Sequence, residues 1–314
     1  MAERSEPFPL VWSPSYEVDI GVHVFPTAKY RLVLEALVEA GSIRREDVLR
    51  PEPAPWEDVE RIHGRTYVEK IRQGAFSPAE EVILEVPFSS ALREASLLCC
   101  GGTLLTTERA LSQGVAVHLG GGFHHAFRDH GEGFCLLNDV GVALGSLMAR
   151  NKVRRTAVVD LDVHQGNGTA SIFAAEPRVF TFSMHQEKNY PFPKPPSDLD
   201  LGLPDGIRDE DYLEKLSRGL DRVLNGHAPE LVVYLAGADP FVEDQLGGLA
   251  LTRKGLEARD RMVLEECRRG EIAVAVVLAG GYALRKEDTV RIHRRTVEVA
   301  REVWEGEGSL QGWM

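Results

Sequence analysis

Asp160-Leu161-Asp162-Val163-His164 closes an apolar run at 156–161. While such a chain stays extended, two-residue alternation puts Asp160, Asp162 and His164 on one side. Two carboxylates and an imidazole crowded there desolvate badly unless a cation joins them. Hard oxygens with an imidazole nitrogen suit Zn²⁺ or a similar divalent ion. Taken alone, the motif reads equally well as an acid anchoring a loop beside a solvated histidine. Ala236-Gly237-Ala238-Asp239-Pro240 ends a second run at 231–236, where small residues let backbone approach closely. Asp239 is the natural third protein ligand, although by itself it also reads as a turn cap. Two aspartates and a histidine leave a position open for water, as a catalytic zinc site requires.

Gly120-Gly121-Gly122-Phe123-His124-His125 follows a third run at 115–119. With neither GxGxxG nor GK[ST] present, this is not a nucleotide loop. The glycines permit a tight turn that delivers two histidines to the same sheet edge. Paired histidines suit general acid–base work near neutral pH. Gly280-Gly281-Tyr282 follows a fourth run at 273–279, and the small residues leave the tyrosine hydroxyl reachable by a ligand. Metal ligands, a proton shuttle and an oxyanion donor are the parts that metal-assisted amide hydrolysis needs.

The elements that must position these groups are apolar runs at 115–119, 156–161, 179–183, 231–236 and 273–279. Between them lie helical patterns at 27–40, 91–112, 139–150, 209–224, 252–269 and 287–304. Uninterrupted apolar strands belong to parallel sheets covered on both faces, and the alternation predicts one α/β domain over 1–314. Asn138 and Thr252 stand where helix caps are expected. The proline-rich stretches at 51–55 and 191–196 read as surface or rim loops. Ligands of such sheets sit beyond the carboxyl ends of the strands, where the unusual residues cluster.

Of the 314 residues, 43% are hydrophobic, enough for a large core. Lysine and arginine total 36 against 48 acidic residues, a net charge of −12 that excludes a global field for holding nucleic acid. Such a surface would draw cationic tails or polyamines. Cys99, Cys100, Cys135 and Cys267 form no CxxC pair and suggest no disulfide scaffold. The opening residues lack a signal-peptide pattern, and no apolar stretch is long enough to span a membrane. A cytoplasmic location is expected.

GGGFHHAF, GEGFCLLNDVGVAL, VVDLDVHQGNGT, AGADPF and LAGGY, in this order, resemble the successive signatures of the histone deacetylase and acetylpolyamine amidohydrolase superfamily. The likeness runs from about Phe8 to about Trp304. GEGFC, FSMH and Asn189-Tyr190-Pro191-Phe192 most resemble the bacterial, class IV-like branch. The resemblance implies an arginase/deacetylase-like fold with a mostly parallel sheet flanked by helices on both faces.

It further implies Asp162, His164 and Asp239 as zinc ligands, a set that Fe²⁺ also suits. His124 and His125 match the tandem active-site histidines, with His125 as general base and later acid. Asp160 matches the aspartate that orients His124 and shares a structural K⁺ site with Asp162, His164, Ser183 and Met184. Asn167 falls behind His125 where some members have aspartate, an arrangement that supports the imidazolium less. Tyr282 matches the catalytic tyrosine, Phe134 and Tyr190 the aromatic channel walls, and Gly133 the channel's narrow floor. The implied substrate is an acyl-lysine protein or peptide, or an acylated small amine. The rim loop Glu85-Val86-Pro87-Phe88-Ser89-Ser90 has no aspartate of the kind that grips a peptide backbone in many eukaryotic members. An arginase-type binuclear centre lacks its ligands, since Phe241 and Gly166 stand two residues after Asp239 and His164. A binding module that kept the fold and lost the chemistry would lack one of these groups, and all are present.

Overall fold

The computed structural model describes residues 7–306. The expectation of no leader segment falls partly on residues 1–6, outside that range. The described strands are β1 (Leu10–Val11), β2 (Val115–His118), β3 (Thr156–Asp160), β4 (Val179–Gln186), β5 (Leu199–Leu203), β6 (Leu231–Leu235) and β7 (Ala273–Val277). They pair in the order β1-β2-β7-β6-β3-β4-β5, and every pair is parallel. The described helices are α1 (Lys29–Glu39), α2 (Trp56–Ile62), α3 (Arg65–Gln73), α4 (Pro78–Leu84) and α5 (Ser90–Gln113). They continue with α6 (Asp139–Ala149), α7 (Asn167–Phe173), α8 (Asp209–Asp221), α9 (Arg253–Arg269) and α10 (Lys286–Glu305). This is the single α/β domain that the alternation of runs requires.

Every residue of β2, β3, β6 and β7 is buried, so both faces of the sheet centre are covered. That is why these strands read as unbroken Val, Ala and Leu rather than as alternation. Each such Val or Leu side chain contributes roughly 1.5–3 kcal/mol by leaving water. Among the covering elements α5 packs on β2 and β7, and α10 and α9 lie against each other. Both expected caps are present: Asn138 accepts the Gly141 N–H, and Thr252 accepts the Gly255 N–H.

Two details differ from expectation. β3 stops at Asp160 because the Asp160 and Asp162 carboxylates accept the N–H groups two residues on, at 3.2 and 2.9 Å. These Asx turns curl the chain out of the ladder. β4 runs on to Gln186 because β5 supplies a parallel neighbour over Phe182–Gln186. The 51–55 stretch is a surface loop as expected, with Glu52, Pro53 and Pro55 exposed and the Ala54 N–H donating to Leu97 O at 2.9 Å. No helix among the described residues is long and apolar enough to cross a membrane.

Candidate active site

β2, β7, β6 and β3 are neighbours in the sheet, and past their carboxyl ends the chain enters the four polar segments. After β2, Gly121 and Gly122 take φ values of 71° and 82°, closed to most side chains. A methyl group on Gly122 would stand 2.7 Å from the Ala279 Cα, so the turn presses on the chain leaving β7. Asp139, at the start of α6, accepts the N–H groups of Gly122 and Phe123 at 3.0 and 2.7 Å. Those bonds fix the segment that carries His124 and His125.

Arg259 braces the other side. Fully buried, it donates through Nη1 to Gly237 O at 2.6 Å and to Leu161 O at 3.3 Å, and through Nε to Asp260. One guanidinium thereby ties the chain leaving β3 to the chain leaving β6. Asp244 holds the Tyr282 N–H at 2.7 Å and also accepts from Leu246 and Gly247.

Asp162, His164 and Asp239 bring their donor atoms within 4.8 Å of one another, all buried. Asp162 Oδ2 accepts the Gly280 N–H at 2.8 Å, and Asp239 Oδ1 accepts the Val163 N–H at 3.0 Å. Asp239 Oδ2 has no hydrogen-bond partner among the described residues, although the side chain is 0% exposed. Its nearest positive neighbour is His164 Nδ1 at 3.5 Å, too long for a hydrogen bond, and a buried carboxylate oxygen so weakly satisfied is costly unless a cation takes it. The electrostatics agree. Burial and the Asp162 charge push Asp239 up to about 7. Burial opposes the charged form of His164, yet Asp162 and Asp239 raise it to about 10. Both shifts express a cluster short of positive charge, which a divalent ion supplies. Two carboxylates and an imidazole are a donor set for zinc or iron.

Beside the triad lies the histidine pair. His124 Nδ1 donates to Asp160 Oδ2 at 2.7 Å, and the two Nε2 atoms of His124 and His125 stand 3.1 Å apart. His125 Nδ1 meets Asn167 Oδ1 at 2.7 Å. Burial works against a charged His124, but Asp160 and Asp162 outweigh it and hold its pKa at about 9. Burial, reinforced by His124 and His164, drives His125 well below the ordinary histidine range. The two rings are thus electrostatically unequal: Asp160 and Asp162 favour a proton on His124, while burial disfavours a charge on His125.

A cavity of about 300 Å³ opens onto these groups. Tyr190 stands edge-on to the His125 ring at 4.9 Å between centroids, and Phe134 packs against Tyr282 at 6.1 Å. A methyl group on Gly133 would lie 2.7 Å from the His125 ring, so this position must stay bare for the channel to exist. Gly133, Phe134, Tyr190 and Tyr282 all line this cavity. Ser183 is the register partner of Asp160 on β4, and Met184 follows it, buried. Both Asp160 oxygens are already engaged, by His124 and by the Asp162 N–H.

The histone deacetylase domain profile matches residues 23–297. The chain belongs to the histone deacetylase family. An uncharacterised protein of Picosynechococcus sp. is 43% identical over 298 residues, covering 95% of this chain and 99% of that one. Histone deacetylase 2 of Arabidopsis thaliana is 29% identical, over 87% of this chain and 74% of its own length. Histone deacetylase 8 of Xenopus tropicalis is 28% identical, over 80% and 73% respectively.

Several groups of this histone deacetylase-family site escaped the sequence reading. Asp139 and Arg259 are long-range braces, which leave no local spacing in the sequence. Lys29, Glu132 and Asp244 were missed for the same reason. Glu85 was read only as part of a loop lacking aspartate, yet it lines the cavity, as do His23 and Phe25.

Proposed function

We propose that this chain is a zinc-dependent amidohydrolase that removes an acyl group from the ε-amine of lysine or from a related amine. The reading takes 1–314 as one catalytic unit. The observation that carries it is the buried cluster of Asp162, His164 and Asp239, in which Asp239 Oδ2 makes no hydrogen bond among the described residues and has His164 Nδ1 at 3.5 Å, beside the His124–His125 pair.

Zn²⁺ held by Asp162, His164 and Asp239 would supply Lewis acidity toward the acyl carbonyl and a more acidic water. The chain's own groups do the rest. His125, kept neutral by burial, takes the proton of the attacking water. His124, whose charged form the hydrogen bond to Asp160 favours, steadies the negative charge that develops. Tyr282, whose hydroxyl burial keeps protonated, donates to the oxyanion. His125 then returns its proton to the leaving amine. Phe134, Tyr190 and the bare Gly133 backbone suit a slender alkyl linker. The potassium ion assigned to Asp160, Asp162, His164, Ser183 and Met184 rests on the family resemblance alone, as does the choice of zinc over iron.

Release of free amine from ε-acyl-lysine peptides of increasing chain length and from acetylated polyamines tests the reading, with His125→Ala run alongside. Chelator-sensitive turnover that is lost in the variant is expected. Silence across the panel with zinc bound would refute it.

A further inference from the structure

Glu132 opens a tight turn in which the Cys135 N–H donates to Glu132 O at 2.9 Å. The two central residues, Gly133 and Phe134, both have positive φ, 54° and 69°, as in mirror-image β-turns. The turn aims the Glu132 carboxylate inward, behind the channel wall, where its side chain is 18% exposed. Oε1 there accepts two bonds, from the Tyr190 hydroxyl at 2.6 Å and from the Asn167 amide Nδ2 at 2.5 Å. His130 Nε2 lies 3.5 Å from Oε2. Burial disfavours the charged carboxylate, but the bonds from His130, Tyr190 and Asn167 keep its pKa below the usual glutamate value.

An asparagine amide placed between two groups can sit either way round, and nothing in its own chemistry chooses. Glu132 chooses. An ionised carboxylate only accepts, so the Asn167 NH₂ must face it and the Asn167 carbonyl must face His125. That carbonyl also only accepts, so the proton of neutral His125 must sit on Nδ1. The lone pair is then on Nε2, the atom 3.1 Å from His124 Nε2 and on the side of the triad. With the amide reversed, the NH₂ would donate to Nδ1 and the proton would move to Nε2, against the facing His124 Nε2 and away from the base-competent form. The partner of one ring nitrogen thus determines what the other can do.

We infer that Glu132 is a positioning residue that fixes the base-competent tautomer of His125 through Asn167, while the same oxygen anchors the Tyr190 wall. The inference rests on the proposed role of His125 as the base.

Its test separates charge from shape. Glu132→Gln keeps the volume but offers Asn167 both a donor and an acceptor, so either amide orientation becomes available. Adding Asn167→Asp to it moves the negative charge one link closer. The new carboxylate at 167 accepts from His125 and from the new amide at 132, whose NH₂ takes the place of the one oxygen that served both Asn167 and Tyr190, so the Tyr190 hydroxyl oxygen there accepts instead. Asn167→Asp alone sets two carboxylates face to face. Histidine ¹⁵N spectra of the zinc-loaded proteins report the tautomer directly. His125 is expected as Nδ1–H in the native protein, displaced toward Nε2–H in Glu132→Gln, and returned to Nδ1–H in the double variant.

On the best acyl-amine substrate, Glu132→Gln should lower kcat at least about tenfold, as general-base function fails. KM should move by less than about threefold, and the double variant should recover most of the lost kcat. An unchanged Nδ1–H His125 in Glu132→Gln overturns the assignment, and so does a double variant that regains neither the tautomer nor the rate. Should the native protein turn over nothing in the panel, the deacylase reading falls while the spectra still decide the role of Glu132.

Discussion

The backbone N–H of Gly280 donates to Asp162 Oδ2 at 2.8 Å, and this contact decides which residue can stand at 280. A methyl group there would lie 1.9 Å from Asp239 Oδ2 and 2.6 Å from Asp162 Oδ2. No real Cβ tolerates either distance, and the obstacles are the two carboxylates expected to hold the metal. Gly280→Ala should therefore push Asp239 aside while leaving the β7 strand in place. Zinc content after dialysis against a metal buffer is expected to fall at least about tenfold, and amide hydrolysis to be lost with it. A variant that retains stoichiometric zinc would show that Asp239 is not a ligand.

Tyr282 is held from its backbone by Asp244 and from its ring by Phe134, so removing the hydroxyl should leave the ring in place. Tyr282→Phe then isolates the hydrogen bond to the developing oxyanion. Loss of one such donor raises a barrier by roughly 3 kcal/mol, a fall in kcat of about a hundredfold or more. KM should change little, because the bond matters most in the transition state. Full turnover in the variant would remove Tyr282 from the mechanism.

Much of this was legible in the sequence, for identifiable reasons. Strands buried on both faces announce themselves as apolar runs, so β2, β3, β4, β6 and β7 could be read directly. β1, with two residues, and β5, an edge strand reading Leu-Asp-Leu-Gly-Leu, could not. α2, α3, α4 and α7 are seven to nine residues long, too short for a clear 3.6-residue period. Site residues were legible where each sits just past a strand end, as Asp162, His164, Asp239 and Tyr282 do. Glu132 was hidden because its partners, Asn167 and Tyr190, are 35 and 58 residues away. Lys29 was hidden because its partner, Ala279 O, is 250 residues away.

That lysine gives a pH signature independent of substrate. Lys29 is 1% exposed, donates to Ala279 O at 2.6 Å, and sits among the rings of Phe25, Tyr30 and Tyr282. Burial lowers its pKa from 10.5 to about 8, against the pull of Asp239, Asp162 and Asp244. A base whose folded pKa lies below its unfolded value binds its proton more tightly when unfolded. The charged form therefore penalises folding below about pH 8, and the penalty is relieved as pH rises from about 8 to 10.5. Other groups titrate in this range, so the quantity to measure is the difference from Lys29→Met, by denaturant unfolding of chelator-treated protein. The native chain should gain on the variant by up to ~1.4 kcal/mol per pH unit across that window. A difference that stays flat from pH 8 to 10.5 would mean that Lys29 keeps an ordinary pKa in its buried position.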